Sequence, residues 1–159
     1  MQKWLFAVVA GCALAAGIVL YQSQQYDFQT LQGDSYQWQQ LEGDWVVVNY
    51  FAEWCAPCLK EVPELNAFGQ WAEEQSNVHL FAISYDALSR EKLSDIATQY
   101  RMTFDLLVPE LTRHVPVKKP QYLPATFIIK PDGSITPPLL GEQTNQSIQA
   151  ALVQLQEAF

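Results

Sequence analysis

Two cysteines separated by two residues, Cys55 and Cys58, are the side chains in this sequence best suited to do chemistry. They follow an apolar run and precede a segment with helical periodicity. A cysteine attacks a disulfide as the thiolate, and a helix N-terminus stabilises that anion through free backbone N–H groups and the helix dipole. We therefore expect Cys55 to be the nucleophile. Cys58 lies one helical turn later and is expected to resolve the mixed disulfide and release the substrate.

The residues around the two cysteines are expected to shape the site. Pro57 presets a helical φ and lacks an N–H that would otherwise have no partner, and together with Ala56 it should tune the reduction potential. Trp54 is expected to shield one side. Glu53 is the nearest acid in sequence, so it is a candidate for tuning the thiols, either by acid–base help or by opposing thiolate formation.

Other uses of a cysteine pair remain open from the sequence. The pair could form a permanent disulfide, or it could supply half of a zinc site. Zinc would need two further ligands, and only His79, His114 and Cys12 remain, with no paired spacing between them. The sequence therefore predicts no metal and no other cofactor.

The elements that must position the cysteines alternate between strands and helices, which indicates an α/β domain with a central mixed sheet flanked by helices. A hairpin is predicted ahead of the sheet, and a helix that starts near Cys55 should be kinked by Pro63. Ser89 should cap another helix. The predicted hairpin, strands and last helix are Asp27–Trp38, Trp45–Phe51, Val78–Ser84, Phe104–Val108, Ala125–Lys130, Ile135–Thr136 and Thr144–Glu157.

The N-terminus is a separate piece. Residues 4–20 form an uncharged apolar run, at the lower limit for a membrane span, and a polar tether follows. Ala13-Leu14-Ala15 resembles a signal-peptide cleavage site, and Val9-Ala10-Gly11-Cys12 resembles a lipobox with an acylated cysteine. We favour an uncleaved anchor because the apolar run continues past both cut sites. The predicted organisation is an anchor and tether over 1–24 and one domain over 25–159.

The net charge of the chain argues against nucleic acids as partners. The chain carries a formal net charge of −8, and its acidic residues are scattered along the sequence. Such a surface repels phosphates, so no nucleic-acid partner is expected.

Three motifs together resemble the thioredoxin superfamily: FAEWCAPC after an apolar strand, Pro63 in the next helix, and LPATFII further on. The hairpin, VVNYFAEWC, the acidic Glu61-x-Pro63-Glu64-Leu65 run and the apolar N-terminus narrow the resemblance to the membrane-anchored TlpA-like group, which includes the ResA and DsbE types. The spacing from Cys58 to Pro124 leaves room for that group's extra βα insert. The resemblance covers nearly the whole domain.

The resemblance implies a thioredoxin-like fold, a cis peptide bond at Pro124 beside the cysteines, and a Leu123 backbone that pairs with substrate. Two departures limit it. Asn49 stands where thioredoxin has a buried acid, so acid–base help for Cys58 must come from elsewhere. Residues 109–122 also lack the Tyr-Gly-Val-like approach of relatives, which leaves substrate recognition open.

The predicted function is therefore an extracytoplasmic thiol–disulfide oxidoreductase. It is expected to be held on the periplasmic face of the inner membrane and to reduce protein disulfides with electrons from a membrane thiol donor. The resemblance makes the cysteines of apocytochrome c one candidate substrate. An oxidase or isomerase, a non-catalytic copper-binding module and a peroxidase are the alternatives. The absence of Thr and Arg near the cysteines argues against the peroxidase.

Overall fold

A five-stranded mixed sheet forms the centre of the computed structural model, which describes residues 11–14, 17 and 26–159. The strand order is β5-β4-β3-β6-β7, and a separate two-stranded hairpin, β1-β2, precedes the sheet. The strands are β1 (Phe28–Gln29), β2 (Ser35–Tyr36), β3 (Trp45–Phe51), β4 (Val78–Ser84), β5 (Asp105–Leu107), β6 (Ala125–Ile129) and β7 (Leu139–Leu140). The helices are α1 (Ala56–Lys60), α2 (Val62–Glu73), α3 (Arg90–Tyr100) and α4 (Asn145–Glu157). The predicted fold class, with its hairpin and an additional α3-β5 unit, is confirmed.

Strand β3 lies in the middle of the sheet, as its continuous apolar sequence predicts. It pairs in parallel with β4 and antiparallel with β6, and all seven of its residues are buried. A strand covered on both faces gains from apolar side chains at every position. The carboxyl end of β3 leads directly into the cysteine motif, so the sheet fixes where that motif begins.

Two hydrophobic clusters lie on opposite faces of the sheet. The larger, which we call the helix-side core, includes Cys58, Leu65, Leu93 and Leu152, one from each of the four helices. The smaller, the hairpin-side core, is covered by Phe28 of the hairpin, by Leu41 of a 3-10 turn and by Val117 of the long loop before β6.

The helix after the cysteines is broken rather than kinked. Helix α1 ends at Lys60, Glu61 lies at the junction with φ −79° and ψ −7°, and α2 begins at Val62. Pro63 is the second residue of α2, where its missing N–H costs no hydrogen bond. The sequence pattern places Pro63 in the interior of a single helix, whereas the structure places it in the first turn of a second helix.

The last strand differs from the prediction. Ile135 forms only an isolated bridge with Ile129, and the strand that pairs with β6 is Leu139–Leu140. Pro137 and Pro138 have no N–H to donate, so ladder pairing resumes only after them. The prediction of a strand at Ile135–Thr136 was therefore wrong, because the strand that pairs with β6 begins only after the two prolines.

Near the N-terminus, residues 11–14 and 17 are helical, and Cys12 is an exposed free thiol. The rest of the predicted 4–20 anchor, and the boundary between residues 24 and 25, lie outside the described residues. Among the residues that are described, no helix is both long and apolar enough to cross a membrane.

Candidate active site

The two cysteines are joined by a disulfide at the start of α1. Cys55 is the N-cap residue, with extended backbone angles, and its Sγ accepts a hydrogen bond from the backbone N of Cys58 at 3.3 Å. Pro57 occupies the first turn, as the sequence predicts. Residue exposure is 5% for Cys55 and 1% for Cys58. The first cysteine thus takes the position where free amides stabilise a thiolate, and the second is enclosed by the helix-side core.

Trp54 forms one rim of the site. Its indole is 66% exposed, yet it is fixed on two sides. Its Nε1 donates to Oδ2 of Asp86 at 2.7 Å, and its ring meets that of Tyr85 edge-on, with centroids 6.0 Å apart. An exposed aromatic ring held in this way offers a substrate apolar area at low entropic cost. Ala56 and Pro57 are also exposed beside it.

The opposite rim is the segment that enters β6. The Leu123–Pro124 peptide bond is cis, and the carbonyl of Pro124 accepts a hydrogen bond from the N–H of Gly141 at 3.0 Å. Tyr50 is the register partner of Ala125, so Pro124 lies beside the end of β3 where the cysteine motif begins. The cis bond and its location agree with what the resemblance implies.

Leu123 presents its backbone at this rim. The side chain is partly buried against the helix-side core, and its amide and carbonyl make no hydrogen bond to any other described residue. Unpaired backbone groups next to a reactive cysteine suit the pairing of an extended peptide. The predicted role of Leu123 in substrate binding therefore has a free donor and a free acceptor to support it.

A buried carboxyl group lies one helical turn after Cys58. Glu61 is 2% exposed. Its Oε1 accepts a hydrogen bond from Nδ2 of Asn49 at 2.9 Å, and its Oε2 accepts one from the backbone N of Gln143, also at 2.9 Å. Asn49 Nδ2 donates in addition to Oγ1 of Thr126 at 3.1 Å. These four residues tie β3, the α1–α2 junction, β6 and the start of the last helix together beneath the cysteines.

Burial raises the pKa of Glu61 from 4.5 to about 7. The hydrogen bonds from Gln143 and Asn49 act in the opposite direction, and the nearby Glu142 raises the pKa further. Since positions three apart share a helix face, Glu61 lies on the same side as Cys58. A carboxyl group that titrates near neutral pH can take up or release a proton at the pH where thiols exchange.

Asn49 adds a switchable partner. Its Oδ1 is buried and has no hydrogen-bond partner. An amide can either donate through its nitrogen or accept through its oxygen. The ionised form of Glu61 accepts from Nδ2, and a rotation of the amide would let Oδ1 accept from the protonated form. Asn49 therefore suits both protonation states of Glu61 although it cannot itself carry the proton.

Glu53 is the candidate tuning acid that sequence proximity indicates, whereas the buried acid near the cysteines is Glu61, which that reasoning does not identify. Glu53 lies on the surface, where its Oε1 is 2.9 Å from Nζ of Lys92. A signal for Glu61 was present in the sequence, because positions 61, 65, 68 and 72 form the buried face of the helical segment. A carboxylate on such a face, three residues after a cysteine, indicates a buried acid.

Neither histidine is placed with the cysteines. His79 Nε2 lies 3.0 Å from Oδ2 of Asp44, near the start of β4, and His114 is exposed on the long loop. In the part of the chain that the structure describes, no three His, Cys, Asp or Glu side chains are grouped so that they could hold a metal ion.

A cysteine pair at a helix N-terminus, beside a cis-proline and at the end of a central strand, defines a thioredoxin-like thiol–disulfide oxidoreductase. The chain belongs to the AhpC/TSA family, whose model matches residues 21–137.

Named relatives agree with this class. The chain is 27% identical over 122 residues to the thiol-disulfide oxidoreductase ResA of Bacillus cereus, covering 77% of this chain and 69% of that protein. It is 24% identical over 133 residues to the thioredoxin-like protein YneN of Bacillus subtilis, covering 82% and 76%.

Solved structures share the fold. StoA from Bacillus subtilis matches with a TM-score of 0.61 and 19% identity, over 79% of this chain and 93% of that one. A thiol-disulfide isomerase from Corynebacterium glutamicum matches with a TM-score of 0.64 and 20% identity, over 82% and 93%. Another isomerase from that organism, described as secreted, matches with a TM-score of 0.59 and 18% identity, over 79% and 81%.

Proposed function

We propose that this oxidoreductase works as a reductase of protein disulfides and that Glu61 moves the proton that its second cysteine must lose. The observation that carries the proposal is the buried Glu61 carboxyl group, with a pKa near neutrality, one turn from Cys58. A reductase must expel its substrate by attack of the buried cysteine, and a buried thiol needs a nearby base to become a thiolate.

The proposed reaction starts from the reduced protein. The thiolate of Cys55 attacks one sulfur of the substrate disulfide, forms a mixed disulfide and releases the other substrate sulfur as a thiolate. Cys58 then gives its proton to Glu61 and attacks the sulfur of Cys55. The second substrate thiolate leaves, and two electrons have passed from the protein dithiol to the substrate. Burial favours the neutral carboxyl group, so it makes Glu61 a stronger base for this step.

We propose further that the domain works outside the cytoplasm, held to the inner membrane by residues 4–20, and that a membrane thiol carrier reduces it again. The uncharged N-terminal run supports this location, and one solved structure of similar fold is described as secreted. Oxidised cysteines of apocytochrome c are the first substrate to test, because the chain resembles the TlpA-like group.

The reduction potential of the Cys55–Cys58 pair tests the direction of transfer. It is measured by titration of the full-length protein against a defined thiol–disulfide buffer. We expect a value near or below roughly −270 mV, in the range of thioredoxin. A value near roughly −120 mV, typical of a strong oxidant, would reverse the assigned direction.

The role of Glu61 is tested by the pH dependence of insulin reduction. The wild-type rate should rise with pH through about 7, as Glu61 ionises. Glu61→Gln should lower the rate by about a hundredfold and remove that rise. Glu53→Gln is the matched control, because it removes a carboxylate that lies close in sequence to Cys55 but belongs to an exposed ion pair. If Glu53→Gln removed the rise and Glu61→Gln did not, the surface acid would be the tuning group.

A further inference from the structure

The long loop between β5 and β6 carries an unusual share of the positive charge. Three of the nine Lys and Arg residues of the chain, Arg113, Lys118 and Lys119, fall within seven positions. No acidic residue occurs from 111 to 131. All three cations are exposed. In a chain of net charge −8, this loop is a local region of opposite sign.

The loop also reaches the redox site from two directions. Nζ of Lys119 lies 3.7 Å from the ring centroid of Tyr85, and Tyr85 contacts the exposed ring of Trp54 beside Cys55. At its other end the loop runs through Tyr122, which is 69% exposed, into Leu123 and the cis-proline. We call residues 118–122 of this loop, which are exposed except for Pro120, the lysine surface.

Within residues 26–159, the two lysines of this surface have no carboxylate partner. Lys60 and Lys92, which flank the site elsewhere, are neutralised by Glu142 and Glu53 at 2.7 and 2.9 Å. No ion pair among the described residues includes Lys118 or Lys119. The ammonium of Lys119 is held in place by an aromatic ring rather than by an acid, so its charge remains available to a partner.

Lys119 lines a depression of about 260 Å³. Tyr50, Leu107 and Thr112 line it as well, and so does Asp86, whose carboxylate is bound to the indole of Trp54. A partner that places an acidic side chain on Lys119 would therefore also find apolar area in the same depression.

We propose that the lysine surface docks an acidic segment of the protein with which the cysteines exchange disulfides. The inference rests on the proposed function, since it names the chemistry of that function's partner. Like charges elsewhere on the chain repel an acidic partner, so approach is favoured only through the loop that lies against Trp54 and Leu123. Charge thus selects the orientation in which the partner's sulfurs meet Cys55.

The first test measures binding without thiol chemistry. The full-length Cys55→Ser/Cys58→Ser protein, in a non-ionic detergent, is titrated into fluorescently labelled cysteine-free peptides that differ only in carrying four Glu, four Gln or four Lys residues. Anisotropy at low salt should show that the Glu peptide binds most tightly. Lys118→Glu/Lys119→Glu should weaken that binding by at least about tenfold, since one ion pair in water contributes about fivefold. High salt should remove the preference.

A matched variant separates the surface from net charge. Arg101→Glu/Lys130→Glu changes the charge by the same amount at two positions outside the lysine surface, and it should leave binding of the Glu peptide within about twofold. Equal weakening by both double variants, or the absence of a preference for the Glu peptide, would overturn the proposal. Lys119→Gln should weaken binding more than Lys118→Gln, because only Lys119 is held beside Tyr85.

Turnover then distinguishes the two proposals. With both cysteines present and reduced, the single-turnover rate with a disulfide-bonded Glu peptide is divided by each variant's own rate with a small neutral disulfide. A selective loss in Lys118→Glu/Lys119→Glu supports docking. Charge-selective binding with no reduction of any disulfide would retain the docking surface and reject the reductase. Selective loss of binding to phosphatidylglycerol vesicles, with binding of the Glu peptide unchanged, would make this a lipid surface and reject the proposal.

Discussion

The two faces of β3 are equally buried but are built from different chemistry. Val46, Val48 and Tyr50 belong to the hairpin-side core, a cluster of apolar and aromatic side chains. On the other face, Asn49 lies among the residues of the helix-side core and binds the carboxyl group of Glu61. The first face gains free energy from burial, whereas the second retains a carboxyl group that burial disfavours.

This difference indicates what each face is for. Phe28 illustrates the hairpin face, because its ring lies within 4.6 to 5.2 Å of the ring centroids of Trp38, Phe81 and Tyr36. These contacts contribute only stability. The network around Glu61 contributes less stability than an apolar core of the same volume would, and the site gains a group that titrates near neutral pH. Substitutions on the two faces should therefore separate stability from the pH dependence of activity.

The largest effect is expected at the two cysteines that follow this strand. Cys55→Ser should abolish insulin reduction, because no other thiol can form the mixed disulfide, and Cys58→Ser should accumulate that mixed disulfide with its substrate. Cys12→Ser is the control, since Cys12 is a free thiol outside the site. Normal turnover by the Cys55 variant, measured by insulin precipitation, would reject the mechanism.

The second-largest effect is expected for a substitution in the hairpin-side core. Phe28→Ala should lower the free energy of unfolding by about 3–5 kcal/mol through loss of burial and creation of a cavity. Urea unfolding measures this loss, and the pH profile of the remaining activity should be unchanged. Phe159→Ala removes a ring that is 64% exposed, so the same type of substitution should cost much less there. Similar losses of unfolding free energy in Phe28→Ala and Phe159→Ala would contradict the expected difference.

The third effect is the pH dependence of the stability that Glu61 contributes in the helix-side core. The pKa of Glu61 is raised by folding, so the neutral form is the one that the fold favours. Its contribution is fully present below pH 4.5 and is lost as pH rises through about 7. That loss amounts to about 3 kcal/mol, and Glu61→Gln should remove it. The difference in unfolding free energy between wild type and variant should therefore change between pH 4.5 and 7.

Glu64→Gln provides the control for that comparison. Glu64 lies one residue from Pro63 in the same helical segment, and its Oε2 accepts a hydrogen bond from the backbone N of Asn145. Its variant should not reproduce the Glu61 difference curve. A flat difference for Glu61→Gln would show that burial does not disfavour its ionised form.

The smallest effect is expected at the edge of the network. Thr126→Val removes the hydroxyl that accepts from Asn49 while it keeps the shape of the side chain, and it should cost about 1 kcal/mol. Thr103→Val, at an exposed position, should be nearly neutral. Thermal unfolding of both variants at pH 6 and pH 8 measures the difference. A loss of more than about 3 kcal/mol would mean that the hydroxyl holds the whole network together.

Local patterns were enough to predict most of the elements. The unbroken apolar run of β3 and the capping Ser89, whose Oγ accepts from the backbone N of Lys92, each depend on neighbours in sequence. The cysteine motif could also be predicted, because a helix start and a two-residue spacing are local features of the sequence.

The hydrogen-bond network around Glu61 could not be predicted from such local patterns. Glu61 is buried, and its hydrogen-bond partners Asn49 and Gln143 lie 12 and 82 positions away in the sequence. Only the fold brings these residues together. The break between α1 and α2 falls at the same residue, since Glu61 lies at the junction where the chain restarts its helix.

One contact of Glu61 has a consequence for how the site can vary. The donor from residue 143 is the main-chain N–H, so the side chain at that position contributes nothing to the bond. Every amino acid except proline preserves it, so an alanine scan would not detect this bond; the Gln143 side chain separately donates to the carbonyl of Gly141 and accepts from Oγ of Ser147. The anchor of the acid is thus insensitive to the side chain at that position, and only a Gln143→Pro change would remove it.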